Sequence, residues 1–302
     1  MNVAQNTATD TAPNAQALKN SAHRERAGLL SLVSPALLLV TVIMVLPVGW
    51  LFYLSLLSDA GHFSLEHYRR MWEQPSYART FWVTFEVSAL TTGICILLGY
   101  PLAYFLSELP KRAANLCMIA VLLPLWTSLL VRTYAWLVLL QRRGLINSWG
   151  MELGLWNEPL ELVHNLTGTL IGTVHVMLPF MVLPLYAAMR GINRDYLKAA
   201  ANLGASPTRA FWQVFFPLSV TGLATGSMMV FILCLGFYIT PAVLGGGKVI
   251  MVSSRIANDI EIFFNWGAAS ALGVVLLLLT LLLILAASRL VKLEDALRDR
   301  SV

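Results

Sequence analysis

The sequence is poor in charged residues. Only 12% of its 302 residues are Asp, Glu, Lys or Arg, about half the share usual in soluble domains, whereas 57% are hydrophobic and the mean hydropathy is +0.69. This composition is typical of a membrane protein. The net charge of +5 is spread over short loops, and no basic run is interleaved with aromatic residues. It therefore argues against a nucleic-acid partner and favours a role for the positive charge in orienting the chain in the membrane.

Motifs for several kinds of chemistry are also missing. The three cysteines, Cys95, Cys117 and Cys234, fall in apolar stretches without CxxC spacing, which predicts reduced packing residues and neither disulfides nor a metal site. No HExxH, GxSxG or paired Cys/His set is present. The nearest approach to a nucleotide-binding loop ends at Gly247-Lys248, but it lacks the first glycine and the final Ser or Thr. We therefore expect no catalytic residue, metal or cofactor in this chain.

Long apolar runs, by contrast, are abundant. Six of them reach the roughly 20 residues that a membrane-spanning helix needs, at about 29–57, 81–106, 116–140, 167–189, 217–244 and 268–290. The first run begins late and is too long for a cleavable signal peptide. We expect a polar, disordered tail over 1–27, a six-span domain over 28–291 and a short tail over 292–302.

The basic residues predict the orientation of these spans. Of the 21 Lys and Arg residues, thirteen fall on the side that holds both termini, seven on the other side and one, Arg132, within a span. Because basic residues concentrate in cytoplasmic loops, both termini are expected in the cytoplasm. The long connection between the fourth and fifth spans is then cytoplasmic too.

That connection, 195–219, is patterned like two short helices. Gly204 suits a left-handed C-terminal cap, Ser206 an N-cap and Pro207 the first position of the second helix. A helix this short is marginal in water and must dock against something. Either the lipid surface or the protein's own bundle could receive it, or a partner could. The two apolar faces consist of Tyr196, Ala199, Ala200 and Leu203, and of Phe211, Val214, Phe215 and Leu218.

The same stretch resembles the EAA loop of bacterial ATP-binding-cassette importer permeases. Lys198-Ala199-Ala200 is followed at the family's spacing by Gly204 and by Val214-Phe215-Phe216-Pro217, where the family pattern reads Glu-Ala-Ala, Gly and Ile-x-Leu-Pro. Lys198 reverses the usual charge. The resemblance implies a coupling helix that docks on a separate ATPase subunit through Lys198, Ala199, Ala200, Leu203, Gly204, Ala205 and Pro217.

Other stretches resemble the spermidine/putrescine branch of these permeases, among them "GYPLAYFLS" from Gly99 and "YITPAVLGGGK" from Tyr238. The resemblance implies an all-α membrane protein with six transmembrane helices and a cytoplasmic coupling helix between spans four and five. It also implies import of polyamines or a related small amine-bearing solute across the bacterial inner membrane. The implied partners are the ATPase, a second permease subunit, a periplasmic or lipoprotein solute-binding protein and membrane lipid.

Polar side chains inside the spans are candidates for the translocation path, because they are costly in lipid. Arg132 could instead hold the bundle together near the outer end of its span. Glu86 could attract a cationic solute or pair with Arg132, and His175 could be a packing residue. An interruption of the helix at Tyr238 could shape an outer gate or simply end the fifth span. The candidate set is Glu86, Arg132, Tyr134, Trp136, His175 and Tyr238.

An ion-coupled secondary transporter for a small organic solute is the alternative function. Such carriers favour inverted repeats and carboxylates near the middle of the bilayer. The sequence shows no clear internal repeat, and Glu86 is its only acidic residue within a span. An intramembrane enzyme would need a set of catalytic residues that we do not find. These observations favour the importer permease.

Overall fold

A computed structural model of the protein describes residues 11–58 and 61–298. This part of the chain is helical, and its only extended pairing is an isolated antiparallel bridge between Leu57 and Phe63. The chain divides after Leu54 into two compact units. The helices are α1 (Thr11–Ser55), α2 (Glu66–Glu73), α3 (Pro75–Glu108), α4 (Lys111–Trp126), α5 (Leu129–Leu140), α6 (Leu145–Glu152), α7 (Leu166–Gly191), α8 (Asp195–Asn202), α9 (Pro207–Ala210), α10 (Phe216–Leu235), α11 (Ile239–Leu244), α12 (Val252–Glu261) and α13 (Trp266–Arg298).

The predicted N-terminal tail differs from the structure. Helix α1 begins at Thr11, so residues 11–27 are helical where the sequence predicted disorder, and residues 1–10 lie outside the described part. Once the apolar segment has nucleated a helix, extension through alanine-rich sequence costs little. In the same way α13 continues to Arg298, through most of the stretch predicted as the C-terminal tail.

The spans agree with the predicted number when one bent pair is counted as a single span. Five helical stretches are long and apolar enough to cross a membrane, and α4 together with the stretch from Leu129 to Glu152 makes a sixth span bent by 94°. The prediction of one continuous third span was wrong. Helix α4 ends at Trp126, where the N–H and the hydroxyl of Thr127 both donate to the carbonyl of Pro124. Such an i to i+3 bond tightens the last turn and satisfies a carbonyl that the helix leaves without a partner.

The fifth span is interrupted where the sequence suggested. Helix α10 ends at Leu235, and the short helix α11 begins only at Ile239. Tyr238 therefore lies in the break between them. The predicted single stretch of 217–244 consists of two helices.

Helices α3, α7 and α10 form the core of the second unit. Met181, Leu185 and Cys234 are fully buried between them. A Cβ atom built on Gly222 would lie 2.4 Å from the Cβ of Ala188, so this glycine allows α7 and α10 to pack closely. The cysteines are free thiols, and all three lie in this core or against it.

Candidate functional site

The segment between the fourth and fifth spans folds as two helices around a tight turn. Helix α8 ends in a Schellman motif, in which Gly204 has a φ of +81°. The N–H groups of Gly204 and Ala205 donate to the carbonyls of Ala201 and Ala200 at 2.9 and 3.0 Å. The hydroxyl of Ser206 then accepts from the N–H of Arg209 and begins α9. The local turn is therefore as the sequence predicts.

The apolar face of α8 is open to its surroundings. No residue of α8 is buried, and the side chain of Leu203, directly after it, is 89% exposed. Beside it lies a shallow groove of about 490 Å³, whose walls are Tyr196, Ala199, Ala200, Leu203, Gln213, Val214, Pro217 and Leu218. Residues 213 and 214 and the start of α10 thus form one side of the groove, and α8 with Leu203 forms the other. A protruding leucine beside an apolar groove provides a complementary surface for another protein.

Lys198, where the family pattern has glutamate, pairs within its own helix. Its ammonium group lies 2.9 Å from the carboxylate of Asp195, three positions earlier, and both side chains are exposed. The hydrogen bond from Lys198, together with its charge, lowers the pKa of Asp195. The reversed charge is therefore balanced locally.

Between α9 and α10 the chain makes a π-helical turn, Phe211–Phe215. Phe215 is 1% exposed, and its ring meets that of Tyr104 edge to face at 5.1 Å. The hydroxyls of Tyr100 and Ser219 lie 2.8 Å apart. These contacts join the polar connection firmly to α3, and π-helical turns are frequent at functional sites.

Two arginines next to this segment make contacts that are not apparent from the sequence. Arg190, in the last turn of α7, donates to the carbonyls of Ser107 and Leu109 at 2.9 and 3.0 Å. Arg194, the N-cap of α8, donates to Ser107 at 3.1 Å and forms an ion pair with Glu108. The contacts join residues more than 80 positions apart, so the local pattern does not reveal them.

The structure brings together two of the six path candidates. The indole N–H of Trp136 donates to Nδ1 of His175 at 3.0 Å, and the two rings meet nearly edge to face. His175 of α7 is thus hydrogen-bonded to α5.

Arg132 and Glu86 are not joined. Among the described residues no ion pair within 4.0 Å involves either side chain, and Nε and Nη1 of Arg132 are buried without a hydrogen-bond acceptor. Tyr134 is 54% and Tyr238 38% exposed. The charge pair offered as one alternative is therefore absent from this structure.

The chain matches, over residues 95–295, the family described as "Binding-protein-dependent transport system inner membrane component". It is 34% identical over 230 residues to the spermidine/putrescine transport system permease protein PotB of Haemophilus influenzae, covering 76% of this chain and 80% of that protein. The Escherichia coli protein of the same name is 30% identical over 231 residues, covering 76% and 84%.

Among solved structures, a bacterial alginate ABC transporter in complex with an alginate-bound periplasmic protein has a chain that superposes with a TM-score of 0.72. The match covers 87% of this chain and 93% of the other at 16% identity, so it supports the fold alone. The extent of the family match and the identity to the permease relatives are independent of that superposition. The chain belongs to the family of binding-protein-dependent inner-membrane transport components, and it is a multi-pass permease subunit of an ATP-driven importer.

Proposed function

We propose that this permease imports polyamines or a related small amine-bearing solute, and that residues 195–217 dock a separate ATPase subunit. The names of its relatives support the solute class. One observation carries the docking surface: Leu203 is 89% exposed beside an apolar groove, at the end of a helix that has no buried residue. Both termini are then cytoplasmic, and a second permease subunit completes the path.

A protein partner accounts for α8 better than a lipid surface does. Helices that lie on membranes usually carry several basic residues on their polar face, whereas the charges of α8 are Asp195 and Lys198, which pair with each other. An isolated helix of eight residues is unstable in water. Here the Schellman motif ends α8 and leaves its apolar face uncovered.

The chain contains a matched control for this site. Helix α6 also has eight residues and ends in a leucine followed by a left-handed glycine, Gly154, with a φ of +71°. The N–H groups of Gly154 and Leu155 donate to Met151 and Gly150 at 3.1 and 2.9 Å, in the same Schellman pattern. A Cβ atom added at either Gly154 or Gly204 would meet nothing within 4 Å.

Gly204→Asp should therefore separate docking from folding. A side chain in the left-handed conformation costs on the order of 1 kcal/mol, and Gly154→Asp carries that same cost. Only at Gly204 would the carboxylate also be buried unpaired against a partner, at a cost of several kcal/mol. We expect Gly204→Asp to lose the ATPase in a pull-down on tagged permease and to abolish uptake, while Gly154→Asp retains both.

Leu203→Ala and Leu153→Ala repeat the comparison without a charge. Leu153 is 74% exposed, so neither truncation removes a core contact. The membrane level of each variant is the control for folding. Full retention of the ATPase and normal uptake in Gly204→Asp would refute the docking surface.

The solute class needs its own measurement. The complete transporter, with its solute-binding protein, should take up labelled spermidine or putrescine into vesicles at a rate that depends on ATP. Competition by unlabelled polyamines and by amino acids would rank the solutes. If neither polyamine is taken up and neither competes, the proposed substrate class is refuted. That result would not bear on the docking surface.

A further inference from the structure

The cytoplasmic end of α3 receives its cations from other helices. The last turn of α3 contains no basic residue, and the chain leaves it in extended backbone at Leu109. The final carbonyls of a helix lack helical partners and carry the negative end of its dipole. Arg190 donates to two carbonyls at this end, those of Ser107 and Leu109. Arg194 adds a third hydrogen bond, which is the second one that Ser107 accepts.

Arg194 also contacts two further groups. Its guanidinium forms an ion pair with Glu108 of α3 and lies 5.7 Å above the ring of Phe215, which is buried in the π-helical turn. Because Arg194 is the N-cap of α8, a single side chain links α8, α3 and the turn that leads into α10. A cation over an aromatic ring and a charge-assisted hydrogen bond both depend on geometry.

We propose that Arg194 is a positioning residue for coupling, through which displacement of α8 moves α3 and the start of α10. This inference rests on the proposed docking of the ATPase on α8. A helix end that shifts carries its N-cap residue with it, and the guanidinium then pulls on Ser107, Glu108 and Phe215 together. Helices α3 and α10 form the core with α7, so the displacement reaches the membrane-spanning part.

Arg190 provides the matched comparison. It makes two hydrogen bonds to the same end of α3, at 2.9 and 3.0 Å, but it belongs to α7 and precedes α8 by a short turn. Arg190 therefore joins α3 to α7 whatever α8 does. Removing it should weaken the bundle without disconnecting α8 from α3.

The test measures uptake per ATP hydrolysed by the whole transporter in vesicles, together with retention of the ATPase. We expect Arg194→Ala to retain the ATPase and its basal hydrolysis but to lower uptake per ATP by about fivefold or more, the usual scale of coupling between sites. Arg194→Lys should recover part of the loss, because lysine keeps the charge but not the planar fork. Arg190→Ala should leave uptake per ATP unchanged in the protein that reaches the membrane.

Glu108→Gln removes only the ion pair with Arg194. This variant tests the proposal if Arg194→Ala fails to reach the membrane. A lower uptake per ATP in Glu108→Gln would then support the proposal, and an unchanged ratio would overturn it. An equal loss in Arg190→Ala, or loss of the ATPase from Arg194→Ala, would also overturn it, because either result assigns Arg194 to packing or to docking. The docking proposal has a separate test, the pull-down with Gly204→Asp, and it fails if that variant retains the ATPase in full.

Discussion

Replacing Gly222 with alanine should force α7 and α10 apart. The added Cβ would lie 2.4 Å from the Cβ of Ala188, 3.0 Å from the carbonyl oxygen of Pro184 and 3.4 Å from the Cα of Leu185. Carbon atoms pack best at about 3.5–4.0 Å. Neither a Cβ atom nor a backbone atom can rotate away, so the two helices must separate by about 1 Å to relieve the contact.

The magnitude follows from two opposing effects. Overpacking a well-packed core typically costs about 1–3 kcal/mol, whereas alanine gains about 0.5–1 kcal/mol over glycine within a helix. The net loss in the free energy of unfolding should be about 1–2 kcal/mol. Gly93 of α3, where an added Cβ meets nothing within 4 Å, should show only the gain.

Thermal unfolding in detergent can be followed with a thiol-reactive dye, because Cys95 and Cys234 are fully buried. Cys117 is partly exposed and should first be replaced with serine. We expect Gly222→Ala to melt several degrees below Gly93→Ala. The double variant Gly222→Ala, Ala188→Gly should recover most of the loss, since it leaves one methyl group between the helices. Equal melting temperatures, or strictly additive effects in the double variant, would refute the close-packing argument.

Two further predictions concern topology and pH. Single cysteines placed at the exposed positions 65, 155 and 250 in a cysteine-free chain should react with an impermeant maleimide from outside the cell, and one placed at 205 should not; outside labelling at 205 would refute the cytoplasmic assignment. Asp259 of α12 is 4% exposed, and its burial raises its pKa above the ordinary 3.8 although Arg255 lies 3.3 Å away. The neutral form is thus favoured in the folded state, so stability from this group is present at low pH and is lost as the pH rises through the raised pKa. Wild type should gain thermal stability relative to Asp259→Asn as the pH falls from neutrality towards 3.8, and parallel curves would contradict this.

Features set by neighbouring residues could be predicted from the sequence. The left-handed Gly204, the N-cap at Ser206 and the break near Tyr238 each follow from local backbone preferences. The close packing at Gly222 follows from residue size. The number of spans follows from the length of the apolar runs.

Features that depend on how the helices are rotated against each other could not be predicted from the sequence. The positions of Arg132 and Glu86 gave no means of knowing whether their side chains would meet, and the structure forms no ion pair between them. Arg194 pairs with a residue 86 positions away. The absence of a basic residue from the last turn of α3 was the one available sign that another helix would supply a cation there.

The break in the third span has a consequence for the surroundings that this part of the chain can tolerate. Helix α4 has 16 residues and rises about 24 Å, which is short of the roughly 30 Å of hydrocarbon in a bilayer. Thr127 and Ser128, which join α4 to α5, are exposed on the surface of the chain, and the side chain of Ser128 does not cap α5. Acyl chains offer no hydrogen bonds to such an irregular backbone. This part of the surface is therefore suited to water or protein and not to lipid.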